Sequence, residues 1–231
     1  MRYRKGATLV LVLLGAVHWN VGRRVHVRRV ETAAKQVALT FDDGPNPPFT
    51  SEILLQLERQ RVRATFFLIG RHIKRFPQLV DQMVAAGHEI GNHSYSHPTL
   101  PWVGWRNLDS EFSQTDDLIR PFAGAWSAPI RSPYGRTNPL FTWWLFWNRR
   151  TDILFDVQSS PPDYTRPDPH KIVESVVSQV RPGSIICLHD GEGTSAETVL
   201  AVPSIIEKLK SQGFEFLTVS ELLRASRADP T

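Results

Sequence analysis

Val37-Ala38-Leu39-Thr40-Phe41-Asp42-Asp43-Gly44-Pro45 is the stretch on which the fold turns. Residues 37–41 have the apolar, β-branched and aromatic character of a short buried strand. They stop at two adjacent carboxylates and then at Gly-Pro, a turn signal. Neighbours on a strand point to opposite faces, but where a strand bends into a turn both can converge on one pocket. Two carboxylates ending an apolar strand are costly to desolvate unless they hold something. A metal ion, or a base acting beside one, would supply the reason; a solvated Asp-Asp-Gly turn is the alternative.

Outward from this strand, strands alternate with helices. Residues 51–60 place Ile53, Leu54 and Leu57 on one helical stripe, with Thr50 or Ser51 as cap. Residues 64–69 read as a second buried strand, 78–86 as a helix stopped by Gly87, and 88–91 as a brief strand. A helix over 108–119 closes at Pro121; strands follow at 153–157, 184–188 and 214–219, with helices at 172–180 and 205–210. The alternation predicts βαβ units and an α/β fold: a small, distorted β/α barrel, complete or incomplete, over residues 36–226. No internal repeat or linker divides it. The aromatic block 141–147 has helical spacing that puts Leu140, Trp144 and Trp147 on one face. Helix packing explains it most simply; a membrane-contacting or sugar-stacking surface is the other reading.

The overall charge of +4 misleads about partners. Residues 1–30 hold seven Lys or Arg and no acid, which leaves 20 basic and 23 acidic residues beyond them. The body is mildly acidic, without the footprint of a nucleic-acid surface. Arg2, Arg4 and Lys5 precede the apolar run 7–17, so residues 1–22 read as a signal peptide or signal anchor and 23–35 as a basic linker. Export follows, with the segment either cleaved or kept as a membrane attachment. The single cysteine, Cys187, excludes an intrachain disulfide and reads as a small buried side chain. His26, His72, His88 and His170 read as surface or packing residues, and the chain as a monomer.

Four polar clusters each follow a predicted strand: Asp42-Asp43, His93 with His97, Arg131 to Tyr134, and His189-Asp190. Functional groups of parallel α/β folds collect at the carboxyl ends of strands, so the four should meet at one mouth. A spacing of four puts His93 and His97 on one side of a helical turn, within reach of one cation. Two imidazoles with one carboxylate leave coordination positions open, as a catalytic metal needs. Donors without thiolate suit Zn²⁺, with Co²⁺, Ni²⁺, Fe²⁺ or Mn²⁺ as alternatives.

Thr40-Phe-Asp-Asp-Gly-Pro45, His93-Ser-Tyr-Ser-His97, Arg131-Ser-Pro-Tyr134 and Leu188-His189-Asp190 resemble, in order, the motifs of NodB-homology polysaccharide deacetylases, carbohydrate esterase family 4. The ending Gly213-Phe-Glu-Phe-Leu-Thr-Val-Ser-Glu-Leu222 is similar to that family as well. The resemblance implies removal of acetyl groups from N-acetylated sugars such as those of peptidoglycan or chitin. It implies Asp42 as general base, Asp43 with His93 and His97 as metal ligands, and Arg131 as the partner of Asp42. It further implies the Tyr134 N–H as an oxyanion donor and His189 as general acid. The aspartate that orients His189 is assigned to Asp163, followed by Tyr164 where the family commonly has Trp; Asp156, at a predicted strand end, is its rival. An O-acetyl esterase, a deformylase acting on another, lipid-linked glycan, and a sugar-binding homologue weak in catalysis are the alternative functions.

Overall fold

A computed structural model describes residues 22, 25–123, 128–191 and 195–228, so the segment read as a signal or anchor lies, but for Gly22, outside the described residues. In chain order the elements are β1 (His26–Val27), β2 (Gln36–Asp42), α1 (Phe49–Gln60), β3 (Thr65–Leu68), α2 (Gly70–Arg75), α3 (Pro77–Ala85) and β4 (Glu89–Asn92). Then come α4 (Trp105–Ala123), α5 (Pro139–Trp147), β5 (Asp152–Ile153), β6 (Val157–Gln158) and α6 (Pro169–Gln179). The last are β7 (Ile185–His189), α7 (Ala196–Ser211), β8 (Glu215–Leu217) and α8 (Val219–Ala228).

β2 is the hub. It pairs in parallel with β7 along Ala38–Asp42; its other edge is shared between β8 at its start and β3 at its end. β3 continues to β4, and single parallel bridges through Ile130 lead on to β5 and β1. β6 ends the arc on the far side of β7. Among the described residues no ladder joins β6 to β1 or β5, so the strands form an open, distorted barrel.

Period-2 alternation gives the two faces of β2 different work. Val37, Leu39 and Phe41 pack outward with Ile53, Val80, Val173 and Ile206 of the surrounding helices. Each such burial contributes about 1.5–3 kcal/mol. Ala38, Thr40 and Asp42 face inward, where Ala38 joins Phe67, Ile153 and Ile185, and Val219 and Leu222 of α8 pack onto the same cluster. Thr40 and Asp42 are therefore held inside the barrel, a costly position that only partners can offset.

Several elements differ from the sequence expectation. Residues 25–30 are not a linker: Val25 and Val30 are buried, β1 pairs with β5, and Val30 N–H donates to Gly183 O at 2.9 Å. Val25-His26-Val27-Arg28 alternates apolar with basic residues, a strand pattern that the charge count conceals. The run 153–157 is two strands, because residues 154–156 leave β5 before β6 joins β7. Neither Thr50 nor Ser51 caps α1, whose N-cap position is Pro48. Pro121 lies within α4 instead of closing it, and α7 begins at Ala196, well before the expected 205. α2 and α8 have no counterpart in the sequence reading. In α5, Trp144 is buried but Trp147 is exposed, so the expected shared face is split between core and surface.

Candidate active site

Four strand ends converge on one mouth. Asp42 closes β2 and pairs in register with His189, the last residue of β7. His93 follows β4, and Arg131 follows Ile130, which bridges β4 and β5. A cleft of about 360 Å³ opens there, lined among others by Asp42, Asp43, His93, His97, Tyr134, Tyr164 and His189. A second cleft, about 260 Å³, sits beside Arg63, His88 and Glu221 and contains none of these groups.

Arg131 is fully buried and fixes Asp42. Its Nη1 donates to Asp42 Oδ1 at 2.6 Å and to Thr40 Oγ1 at 2.7 Å, and its Nε donates to Ile153 O at 2.7 Å. The guanidinium lies 4.0 Å above the Phe67 ring. Asp42 Oδ2 is left facing Cys187 Sγ at 3.4 Å and His93 Nε2 at 3.8 Å. One carboxylate oxygen is thus committed and the other available.

Asp43 has φ 73°, which breaks the strand alternation and turns its side chain toward the histidines. Its Oδ1 lies 3.4 Å from His93 Nε2 and 3.2 Å from His97 Nε2, yet it is buried without a hydrogen bond of acceptable geometry. His93 Nδ1 donates to Arg131 O at 2.9 Å, which leaves Nε2 with its lone pair aimed at Asp43. The imidazoles converge without a helical turn. Residues 93–97 form a loop in which Ser94 and His97 have φ of 66° and 59°, and the rings stand 4.9 Å apart.

The electrostatics ask for a cation. Burial works to raise the Asp43 pKa, but His93, His189 and His97 outweigh it and hold the carboxyl well below the ordinary range. Burial works to lower that of His93, yet Asp42 and Asp43 raise it. Burial and the neighbouring His93 push His97 down to about 4. Asp43, His93 and His97 offer one ligand atom each within 4.8 Å of one another. An unpartnered carboxylate oxygen facing two imidazole nitrogens fits a divalent cation of the zinc class.

Across the cleft, His189 Nδ1 donates to Asp163 Oδ1 at 2.8 Å, while the His189 N–H and Thr198 Oγ1 both donate to Asp163 Oδ2. Asp156 is elsewhere, bound to Ser184 Oγ and the Ile185 N–H. Burial tends to lower the His189 pKa, but the Asp163 bond and charge carry it up to about 9. The Tyr164 ring meets the imidazole edge-on at 4.9 Å, and Tyr134 lies 4.4 Å from the His97 ring.

The profile of the polysaccharide deacetylases matches residues 29–144. This chain belongs to the polysaccharide deacetylase family. It is 39% identical over 209 residues to a chitooligosaccharide deacetylase of Sinorhizobium fredii, covering 81% of this chain and 92% of that one. It is 37% identical over 194 residues to the peptidoglycan-N-acetylmuramic acid deacetylase PdaC of Bacillus subtilis, spanning 84% of this chain but 40% of that protein. A solved peptidoglycan N-acetylglucosamine deacetylase, in complex with a naphthyl-substituted N-hydroxybenzamide, superposes with a TM-score of 0.82 at 32% identity over 87% of this chain and 94% of that one. As a member of the deacetylase family the chain is a hydrolase acting on acetylated glycans.

Some supporting residues escaped the sequence reading. Thr40 shares the inward face of β2 with Asp42, so period-2 alternation could have found it. His72, read as surface or packing, places Nδ1 2.8 Å from Asp43 O, to which it donates. His26 is a packing residue in a polar network with Asp152 and Thr142, and buried His88 accepts from the Ala64 N–H. Asp190, fully buried with Oδ2 accepting from Thr50 Oγ1 at 2.5 Å, has its pKa pushed up to about 7 by burial. Gly191 passes so close to Asp43 that an added Cβ would stand 1.9 Å from the Asp43 Cβ. Gly191→Ala is therefore expected to displace Asp43 and weaken divalent-metal affinity about 10–100-fold, the range for groups that orient a metal ligand; metal-binding calorimetry checks this.

Proposed function

We infer that this chain is a metal-dependent hydrolase that removes N-acetyl groups from glycans containing N-acetylglucosamine, of peptidoglycan or chitin type, and releases acetate. The observation that carries the reading is the pairing, across one cleft, of a carboxylate held by Arg131 with an imidazole held by Asp163, beside the Asp43, His93 and His97 donors. Zn²⁺ is the expected ion, with Co²⁺, Ni²⁺, Fe²⁺ or Mn²⁺ compatible with the same donors.

When bound, the cation supplies Lewis acidity, which acidifies water and polarises an amide carbonyl. Asp42 Oδ2 takes the proton of the attacking water, while Arg131 holds the other carboxylate oxygen in place. The water oxygen bonds to the carbonyl carbon, and the Tyr134 N–H donates to the oxygen on which charge develops. His189, with Nδ1 committed to Asp163, gives its Nε2 proton to the leaving nitrogen as the carbon–nitrogen bond breaks. Acetate and a free amine result. Tyr164 and Tyr134 flank the cleft as sugar-facing rings.

Acetate release measured over a panel of N-acetylated and O-acetylated glycans tests this reading. Release from N-acetylglucosamine oligomers or peptidoglycan is expected. Release from O-acetyl esters alone, formate from a formylated sugar, or binding without turnover would replace it.

The reading also places the enzyme outside the cytoplasm, at the envelope or beyond, with residues 1–22 directing export and serving as a membrane attachment if uncleaved. A reporter enzyme active only outside the cytoplasm, fused after residue 24, is expected to be active; activity of a cytoplasmic reporter alone would reverse the assignment.

A further inference from the structure

We propose that the aromatic end of the α4–α5 pair docks the domain onto an anionic phospholipid surface. Trp102 and Trp147 are 88% and 69% exposed, more than any other large hydrophobic side chain among the described residues, and Trp105 and Phe146 are exposed as well. Exposed rings scattered singly need no explanation, and Trp102, two residues past Leu100 whose carbonyl accepts from Asn138 at the start of α5, is one of these; Trp105, Phe146 and Trp147 share one end of the helix pair. Phe112 of α4 packs on both Phe141 and Trp144 of α5, and Trp144 Nε1 donates to Asp109 Oδ1 at 3.0 Å. The helices therefore run past each other in opposite directions. One turn from Asp109 toward the start of α4 lies Trp105; one turn from Trp144 toward the end of α5 lies Trp147. Trp143, Phe146 and Trp147 meet edge to face, with successive centroids 5.8 Å apart. Exposed Arg106 and Arg149 flank the same end.

The cleft lining includes none of these rings, which separates them from the substrate already assigned. Indole and guanidinium side by side suit the headgroup layer of a bilayer, where the ring sits at the interface and the cation pairs with phosphate. The chain's own path names the occupant. Residues 1–24 carry the apolar run 7–17, then Trp19, Arg23 and Arg24. That segment enters the fold at Val25, buried among Phe112, Phe141, Trp144 and Leu145. Eight residues from Val17 to Val25 reach at most roughly 25–30 Å when extended. A membrane holding residues 7–17 thus keeps α5 close to its surface. The inference rests on the extracytoplasmic reading above, and turnover of a soluble aryl acetate, followed in the same samples, reports on the hydrolase separately.

The test uses the full chain with Asn148→Cys carrying an environment-sensitive fluorophore, since Cys187 is buried and shielded from labelling. With phosphatidylglycerol-containing vesicles the probe emission is expected to shift to the blue and to become protected from aqueous iodide. Trp105→Ser with Trp147→Ser should abolish shift and protection, while the chain still pellets with vesicles through its N-terminal segment. A probe that stays iodide-accessible in a chain that pellets overturns the proposal, as does a chain that does not pellet. A shift without vesicles overturns it too, since the chain's own segment would then cover the face.

Discussion

Asp43→Ala, His93→Ala and His97→Ala are each expected to yield folded protein without stoichiometric divalent metal and without deacetylase activity, whereas Asp42→Asn keeps the metal and loses turnover by about 10²–10⁴-fold, the usual worth of a positioned general base. Three donors leave no redundancy, so removing any one should empty the site. Asp42 differs because its Oδ1 is already committed to Arg131 at 2.6 Å. Elemental analysis beside acetate release separates the two classes. If Asp42→Asn loses metal while Asp43→Ala retains it, the two aspartates have exchanged roles. Asn preserves an acceptor for the buried guanidinium, so Asp42→Asn should fold. Removing the guanidinium instead leaves Asp42 buried and uncompensated, at a cost on the order of 3–5 kcal/mol. Thermal unfolding of Asp42→Asn and Arg131→Met therefore tells a chemical loss from a structural one.

His189→Ala is expected to abolish most amide hydrolysis yet spare an activated aryl acetate, whose leaving group needs little protonation. The base must be ionised and the acid protonated, so rate against pH is bell-shaped, and the alkaline limb belongs to His189. Its folded pKa lies at about 9, above the ordinary 6.5; burial opposes this shift, and the hydrogen bond and charge of Asp163 produce it. A cation bound nearby acts in the opposite direction, which makes the comparison between metal-loaded proteins the informative one. Asp163→Asn should move the alkaline limb down with metal retained; Asp156→Asn, whose carboxylate serves Ser184 and Ile185, should leave it in place. The reverse pattern would falsify the assignment of Asp163. The same shift bears on stability. Imidazolium held by Asp163 contributes stability fully present below about pH 6.5 and lost as pH rises through about 9, so Asp163→Asn should flatten that part of the stability curve.

The order of elements around the site was legible from the chain because it rests on local rules. An apolar run ending in carboxylates gives the hub strand, and parallel topology brings strand ends to one mouth. That is why Asp42, Asp43, His93, His97, Arg131 and His189 could be named together. Element limits were less legible wherever a tertiary partner overrides local pattern: Thr50 is drawn to Asp190 instead of capping α1, and the basic stretch after residue 24 is pinned by β5.

What only the tertiary structure decided are contacts between residues distant in sequence. Which of Asp163 and Asp156 bonds His189 depends on where a proline-rich loop lands, and spacing carries no information about that; Asp163 is the one that accepts from the His189 ring and backbone. The convergence of His93 and His97 comes from left-handed backbone at Ser94 and His97, which the four-residue spacing had assigned to a helical turn. The approach of Gly191 to Asp43 and the packing of Val25 beneath α5 are likewise distances across the fold. Sequence alone determined which chemistry this chain carries, because residue types set donors, charges and proton affinities. Folding decided which of those groups face one another, because that depends on packing summed over the whole barrel.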